Sequence, residues 1–285
     1  VFGDSATYAS RVTFHFPPDR DLLIASIDFG QVEIWDISTH LRAHKVNKGL
    51  ADSVSPVADC FVGRELPLWW TPPGKPSTGP VVWNATSGEV IWQRRDACIV
   101  TTFSPDGSMV AAIVEEIPGD WQSRRLDILD STTGERLCGT TLDPTRCRYG
   151  LLELRVVFMS KGLAVCGHRT CAAAFAIRVR GERCELIDDS PGLPCHDVAQ
   201  SNGQVLYLHV EGSSISIRSK DSTERAAFEV ELPRGRAVQG RLSADGRSVL
   251  FDNFGADAGK NLWAFADGRQ PQRVPGRQGI AFAAD

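Results

Sequence analysis

Cysteine and histidine side chains, which can bind a soft metal ion or form disulfides, are concentrated in one stretch of the chain. Residues 166–171 (CGHRTC) hold two thiols and an imidazole, and Cys184, Cys195 and His196 follow them. A structural zinc site needs four ligands that converge tetrahedrally, usually from closely spaced cysteine pairs. The sequence contains no Cys-x-x-Cys pair, so we predict no metal centre. The two cysteines of residues 166–171 are instead predicted to flank a hairpin turn, as a thiol pair or as a disulfide.

Residues 73–77 (PGKPS) are similar in composition to a phosphate-binding loop. That loop requires Gly-x-x-x-x-Gly-Lys followed by Ser or Thr, but Trp69 stands where the first glycine is needed and Pro76 follows the lysine. The chain also lacks the Gly-x-Ser-x-Gly and His-Glu-x-x-His motifs of hydrolases. We therefore predict no cofactor and no enzymatic activity. An enzyme remains the alternative, because catalytic side chains assembled from separate strands would leave no local motif.

The composition excludes several classes of protein. With 42% hydrophobic and 23% charged residues, the chain of 285 residues is expected to fold around its own core. Its 31 basic and 35 acidic side chains give a net charge of −4, which argues against a nucleic-acid partner. No apolar run approaches the roughly 18 residues of a membrane span, so no membrane partner is expected.

Eight cysteines are too few for a disulfide-dense scaffold. Buried free thiols behave as small hydrophobic side chains. We favour this interpretation, and with it a cytoplasmic location, over a secreted protein with several disulfides.

A short turn pattern recurs along the whole chain. An aromatic or aliphatic residue is followed by a polar turn and then by a second apolar run, most clearly at residues 103–107 (FSPDG) and 242–246 (LSADG). Proline presets the first turn position, aspartate bonds to the local backbone, and glycine accepts positive φ. Further copies lie at residues 16–19, 61–65, 158–162, 199–203 and 282–285. Except for one step of 55, successive copies begin 40 to 45 residues apart, which is the spacing of a structural repeat.

A second turn follows the first within each repeat. It is clearest at residues 34–40 (IWDISTH), 82–89 (VWNATSGE) and 128–135 (ILDSTTGE). Each repeat therefore contains four short apolar runs separated by turns, which predicts four strands joined by hairpins. Residues 219–231 could tolerate a helix, but their apolar positions alternate with a period of two, so we predict a strand there as well.

These turns, together with the Trp35-Asp36 dipeptide and its counterparts Trp83-Asn84 and Leu129-Asp130, resemble the WD40 repeat family. The resemblance covers essentially the whole chain. It implies an all-β fold, a β-propeller built from four-stranded antiparallel blades. It also implies a non-catalytic scaffold that binds a protein or peptide partner through its loop face.

The repeats are predicted to form one propeller domain over residues 1–285. The predicted blades are 8–46, 54–93, 96–142, 147–188, 194–231, 236–275 and a partial one at 276–285. Because the seventh copy stops in mid-turn, we favour a seven-bladed ring completed beyond Asp285, within a longer polypeptide that has further domains. Six blades followed by a stub are the alternative.

The candidate partner-binding residues lie in the connections between the second and third strands of the blades. These connections are long in blades two and three and carry tryptophan beside proline and charge, and Trp and Arg often anchor interfaces. The candidates are Trp70, Lys75, Trp121, Arg124, His168 and Arg169. Two alternatives stay open: the tryptophan rings fold back over the blade edges, and the Arg94-Arg95 and Arg124-Arg125 pairs form ordinary salt bridges.

Two other functions are weighed against a scaffold. One is an accessory or catalytic propeller of a peptidase or hydrolase in a longer polypeptide. The other is periplasmic or extracellular carbohydrate or ion binding, which rests on the cysteines and on the sequon Asn84-Ala85-Thr86.

Overall fold

A computed structural model describes most of the first half of the chain and the strands of the second half. The described residues are 12–142, except 18–19, 28–29, 48, 66–78 and 118–122. Beyond residue 142, the strands β13 to β24 given below are described. All regular elements in this part of the chain are strands. They form six four-stranded antiparallel sheets, in each of which neighbouring strands follow one another along the chain.

The chain divides into two compact units, and the first contains residues 1–142 together with Arg180–Cys184. In each of its three complete sheets the strands lie side by side in chain order, and we call the first strand of a sheet the innermost and the fourth the outermost. Their strands are β1 (Val12–His15), β2 (Leu22–Ile27), β3 (Gln31–Asp36), β4 (Leu41–Asn47); β5 (Gly49–Val54), β6 (Cys60–Glu65), β7 (Pro80–Asn84), β8 (Val90–Gln93); and β9 (Cys98–Phe103), β10 (Met109–Glu115), β11 (Arg124–Asp130), β12 (Arg136–Leu142).

The second unit holds most of the remaining three sheets. Their strands are β13 (Arg155–Met159), β14 (Leu163–Gly167), β15 (Phe175–Arg180), β16 (Arg183–Ile187); β17 (Asp197–Ser201), β18 (Gln204–Glu211), β19 (Ser214–Ser219), β20 (Glu224–Glu229); and β21 (Val238–Leu242), β22 (Ser248–Asn253), β23 (Lys260–Ala264), β24 (Gln272–Val274). Strand β20 confirms the prediction that residues 219–231 contain a strand. The partial blade predicted at 276–285 lies outside the described residues.

The sheets of the first unit pack face to face, and this explains why their middle strands are apolar on both sides. Successive side chains of a strand point to opposite faces. In β7, Val81 and Trp83 pack into the core shared with the first sheet, whereas Val82 packs into the core shared with the third. In β6, Phe61 and Val62 divide in the same way.

A stacked aromatic pair anchors the core between the first two sheets. Phe61 and Trp83 are cross-strand partners, and their ring centroids lie 5.1 Å apart at an interplanar angle of 17°. Both side chains are buried. Full burial of a side chain of this size stabilises the fold by about 2–3 kcal/mol, so this pair contributes strongly to the stacking of the two sheets.

The innermost strands join successive sheets within the first unit. Strand β5 packs against β2 and β3, and β9 packs against β5 and β6. His15 Nε2 donates a hydrogen bond to the carbonyl of Ala51 at 3.1 Å, and the amide of Ala51 donates to Ser26 Oγ at 3.0 Å. Ala51 of the second sheet is thereby held by two side chains of the first.

Candidate interaction surfaces

The turns between third and fourth strands are built on one polar side chain each. Asp36 Oδ1 accepts hydrogen bonds from the Ser38 hydroxyl at 2.6 Å and from the Thr39 amide at 3.0 Å. Asn84 Oδ1 accepts from the amides of Thr86 and Ser87, both at 2.8 Å. Since the donors lie two and three residues further on, these are local turns that depend on sequence alone.

Asp130 organises the same turn in the third sheet. Its Oδ1 accepts from the amides of Thr132 and Thr133 at 2.9 and 2.8 Å. These bonds, that of Thr133 most of all, lower the pKa of the Asp130 carboxyl. In the first sheet, the bond from the Ser38 hydroxyl likewise lowers the pKa of Asp36. Both carboxylates therefore stay ionised at neutral pH.

The loop between first and second strands of the third sheet is the FSPDG turn. Ser104 Oγ donates to Asp106 Oδ1 at 2.6 Å and accepts from the Met109 amide at 2.9 Å. The bond from Ser104 is the main cause of a lowered pKa at Asp106. Gly107 closes the turn with a φ of +69°, a conformation that a side chain would strain.

The outermost strands of the first two sheets contact the next sheet at equivalent positions. His44 of β4 lies opposite Ile34, and Trp92 of β8 lies opposite Val82, so the two hold equivalent positions. A Cβ at Gly88 of the second sheet's turn would lie 3.3 Å from His44, and one at Gly134 of the third sheet's turn would lie 2.7 Å from the Trp92 ring. Both turn glycines are therefore covered by the preceding sheet.

Trp92 is also hydrogen-bonded to the turn that it covers. Its Nε1 donates to the Ser131 carbonyl at 2.7 Å, and the neighbouring Arg94 donates through Nη1 to the Gly134 carbonyl at 3.0 Å. Arg94 Nε in turn pairs with Asp96 at 2.9 Å. We call His44, Trp92 and their counterpart in β12 the clasp position.

The counterpart in β12 is Cys138, and there the link is covalent. Cys138 lies opposite Ile128, in the same register as the two other clasp residues, and it forms a disulfide with Cys184 of β16. Our preference for free thiols is therefore wrong for this pair, although Cys60 and Cys98 are free. No local motif marks the pair, because its members are 46 residues apart, which is about one repeat.

A polar contact joins the innermost strands of the second and third sheets. Asp52 is the extra residue of a bulge in β5, where the pairing with β6 shifts between Ala51 and Ser53. Bulges re-aim side chains, and here Asp52 Oδ2 accepts bonds from both the amide and the hydroxyl of Thr101, each at 3.1 Å. Burial raises the pKa of Asp52, in opposition to Arg64, whose Nε lies 3.9 Å away.

A buried carboxylate in β11 binds two arginines. Asp127, with its side chain 1% exposed, pairs with Arg125 at 2.7 Å and with Arg136 at 3.0 Å. The first sheet has one counterpart of these two pairs, since Glu33 pairs with Arg42 at 2.9 Å. Sequence analysis did not single out either carboxylate, although an acidic residue inside a buried apolar run such as LDILD is a readable signal.

The predicted partner-binding residues are placed as follows. Arg124, which begins β11, has a side chain only 4% exposed, and its Nη1 lies 3.1 Å from Glu115 Oε1. It therefore joins the two ends of the connection that contains Trp121. The amide of Glu116 donates to the Ser123 carbonyl at 3.0 Å across the same ends. The other five candidates lie outside the described residues: Trp70, Lys75, Trp121, His168 and Arg169.

Salt bridges are confirmed for Arg94, Arg124 and Arg125, but that of Arg124 is buried, whereas the arginine pairs were expected to form solvated ones. Within the described ranges, no group of three metal-ligating side chains is present. The stretch 168–171, Cys195 and His196 lie outside these ranges. The described part of the chain also contains no helix that is long and apolar enough to cross a membrane.

Comparison with solved structures places the fold. The chain is similar to the C-terminal WD40 domain of Sif2, with a TM-score of 0.56, 14% identity, and coverage of 89% of this chain and 66% of that one. It is similar to Hsv2 of Kluyveromyces lactis, with a TM-score of 0.54, 13% identity and coverage of 90% and 74%. It is also similar to the β-propeller domain of the Trilobed protease of Pyrococcus furiosus, described by its open velcro topology, with a TM-score of 0.60, 13% identity and coverage of 98% and 88%.

The chain is therefore a WD40-like β-propeller, as the turn pattern predicted. It spans just under two thirds of the Sif2 domain. At these identities the likeness concerns the fold alone. No protein-family model and no curated protein match the sequence.

Proposed function

We propose that this propeller is a non-catalytic scaffold that binds a protein or peptide through the connections between second and third strands of its blades. The observation that carries the proposal is the ion pair that joins the two ends of this connection in the third sheet. There, Arg124 and Glu115 pair across the two ends of the connection. Ile117, next to this base, leaves 58% of its surface exposed.

In this proposal Trp70, Lys75 and Trp121 contact the partner, with His168 and Arg169 adding a second patch. Arg124 supports the connection without contacting the partner, because its guanidinium is buried and pairs with Glu115 at the other end of the connection. Tryptophan and arginine anchors commonly contribute 2 kcal/mol or more each at interfaces, about a thirtyfold change in affinity.

The test uses a Trp70→Ala/Trp121→Ala double variant of the full chain. Partners are first captured from the protein's own source cells by cross-linking, and the purified partner is then titrated by calorimetry. We expect the double variant to lose at least about thirtyfold in affinity while its melting temperature stays within a few degrees. The matched control is Ile91→Ala/Leu137→Ala, which removes exposed apolar side chains that belong to neither proposed surface. A large drop in melting temperature would show that the tryptophans are core residues instead.

A second candidate is an accessory or catalytic propeller of a peptidase. The likeness to the Trilobed protease propeller, which covers 98% of this chain, supports it. The full-length protein would be assayed against a panel of fluorogenic peptides. Turnover that survives loss of Trp70 and Trp121 would favour this candidate over the scaffold.

A further inference from the structure

A second surface lies at the opposite ends of the first three sheets. Because consecutive strands are antiparallel, the loop after each first strand and the turn after each third strand emerge at the same end of a sheet. We call this end the turn surface. It consists of residues 16–21, 36–41, 55–59, 84–90, 104–108 and 130–136, of which 18–19 lie outside the described residues.

Hydrogen bonds tie the loop and the turn of each sheet together. The amide of Ile37 donates to the Asp21 carbonyl at 2.7 Å, and that of Ala85 donates to the Asp59 carbonyl at 2.9 Å. In the third sheet the Ser131 amide donates to the Ser108 carbonyl, just after the FSPDG turn, at 3.1 Å. Each sheet therefore presents its two connections as one fixed unit.

Neighbouring sheets are also joined along this end. Arg20 Nε of the first sheet's loop pairs with Asp59 Oδ1 of the second sheet's loop at 2.9 Å. Val57 of the second loop lies against Gly107 of the third, where any Cβ would clash with it. The turn surface is thus continuous across all three sheets of the first unit.

Most of the exposed large apolar side chains in the described part of the chain lie on this surface. Eight large hydrophobic residues are exposed in the described part of the chain, and five of them belong to the turn surface. These are Phe16, Ile37, Leu41, Val57 and Val90. Leu41 and Val57 leave 67% and 69% of their surface exposed. Exposed apolar groups gathered on one rigid face mark an interaction site.

The charges that surround these groups are mainly negative. Every loop and turn of the surface carries at least one carboxylate: Asp21, Asp36, Asp59, Glu89, Asp106, Asp130 and Glu135. Two arginines lie on this surface, Arg20 and Arg136, and Arg42 lies next to it in β4. Arg20 pairs with Asp59, Arg42 with Glu33 and Arg136 with Asp127.

The acidic side chains that hold the turns are oriented by neutral donors. Asp36, Asp106 and Asp130 accept bonds from backbone amides and from serine or threonine hydroxyls. These donors fix the positions of the carboxylates and leave their negative charge in place. A partner with positive charge would therefore meet anionic groups that are already ordered.

We propose that the turn surface docks a segment of another protein that combines basic and apolar side chains, independently of the loop face. The apolar side chains of the segment pack against Leu41, Val57 and their neighbours. Its basic side chains pair with the carboxylates of the turns. This site differs from the proposed Trp70–Trp121 site in both position and chemistry.

The test measures fluorescence anisotropy of three short labelled peptides with the full chain. One peptide alternates arginine and leucine, one alternates arginine and serine, and one alternates glutamate and leucine. We expect tight binding of the arginine–leucine peptide alone, weakened at least about tenfold by Leu41→Ser/Val57→Ser. Glu89→Gln/Glu135→Gln should weaken it several-fold and flatten its dependence on salt. Ile117→Ser, at the other end of the sheets, and Trp70→Ala/Trp121→Ala should leave it unchanged.

Three results would overturn the proposal. Equal binding to wild type and to Leu41→Ser/Val57→Ser would show that the peptide binds by charge alone. Equal binding of the glutamate–leucine peptide would show that the carboxylates do not select the partner. In sedimentation equilibrium, a wild-type dimer that is lost in Leu41→Ser/Val57→Ser would identify a second copy of this chain as the occupant. If Trp70 and Trp121 prove not to bind a partner while the arginine–leucine peptide still binds the turn surface, only the proposed loop-face function is contradicted.

Discussion

The disulfide at the clasp position offers the sharpest test of the fold, since its two cysteines lie about one repeat apart in sequence. Cys138 and Cys184 close a loop of 46 residues. In the chain-entropy treatment, such a cross-link removes about 13 cal/mol/K from the unfolded ensemble, or about 4 kcal/mol at room temperature. Replacing both cysteines by serine should therefore lower the free energy of unfolding by about 4 kcal/mol.

The assay is urea unfolding followed by circular dichroism and tryptophan fluorescence, with and without dithiothreitol. Reduced wild type and Cys138→Ser/Cys184→Ser should unfold at the same urea concentration, because both lack the cross-link. Oxidised wild type should unfold at a higher urea concentration. Cys60→Ser, which removes a free thiol, should still respond to dithiothreitol. Eight alkylatable thiols in the unreduced, denatured protein would refute the reasoning, as would a reductant that leaves the transition in place.

Three further substitutions test separate parts of the structure. Asp127→Ala should destabilise the protein by about 1–3 kcal/mol, because it leaves two arginines without their carboxylate; chemical unfolding measures this, and a change under 0.5 kcal/mol would contradict it. Gly134→Ala should cost about 1–3 kcal/mol through its positive φ and its contact with Trp92, whereas an unchanged melting temperature would show that the turn is loose. For Asp52, the raised pKa means that the folded state binds its proton more tightly than the unfolded state. The stability of wild type relative to Asp52→Asn should therefore fall as pH rises from about 4 through the folded pKa, and a pH-independent difference would count against this placement of Asp52.

The turn chemistry explains why so much of the fold was predictable. The pattern at residues 103–107 and the third-strand turns at Asp36, Asn84 and Asp130 depend on donors and acceptors within five residues of one another. Contacts of this kind form between residues that are close together in the sequence, so a single short stretch is enough to predict them. The four-stranded repeat, and through it the WD40-like propeller, could therefore be inferred before any coordinates were known.

The candidate sites were less predictable, because their members come from different repeats or from opposite ends of a connection. The sequence marked Arg124 as a residue that could contact a partner, but burial against Glu115 turns its charge inward. The five apolar residues of the turn surface are spread over 75 positions from Phe16 to Val90. None of them stands out locally, and their common placement at one end of the sheets follows from the antiparallel order of the strands.

By itself, the sequence determined the secondary structure, the repeat and the polar turns, since these rest on neighbours along the chain. The tertiary structure alone decided that Cys138 meets Cys184, that a bulge aims Asp52 at Thr101, and that equivalent outer-strand positions cover the glycine of the next turn. The physical reason is that such contacts depend on which face of a strand is presented and on one-residue shifts in register. Both are set by the packing of whole sheets, not by any single repeat.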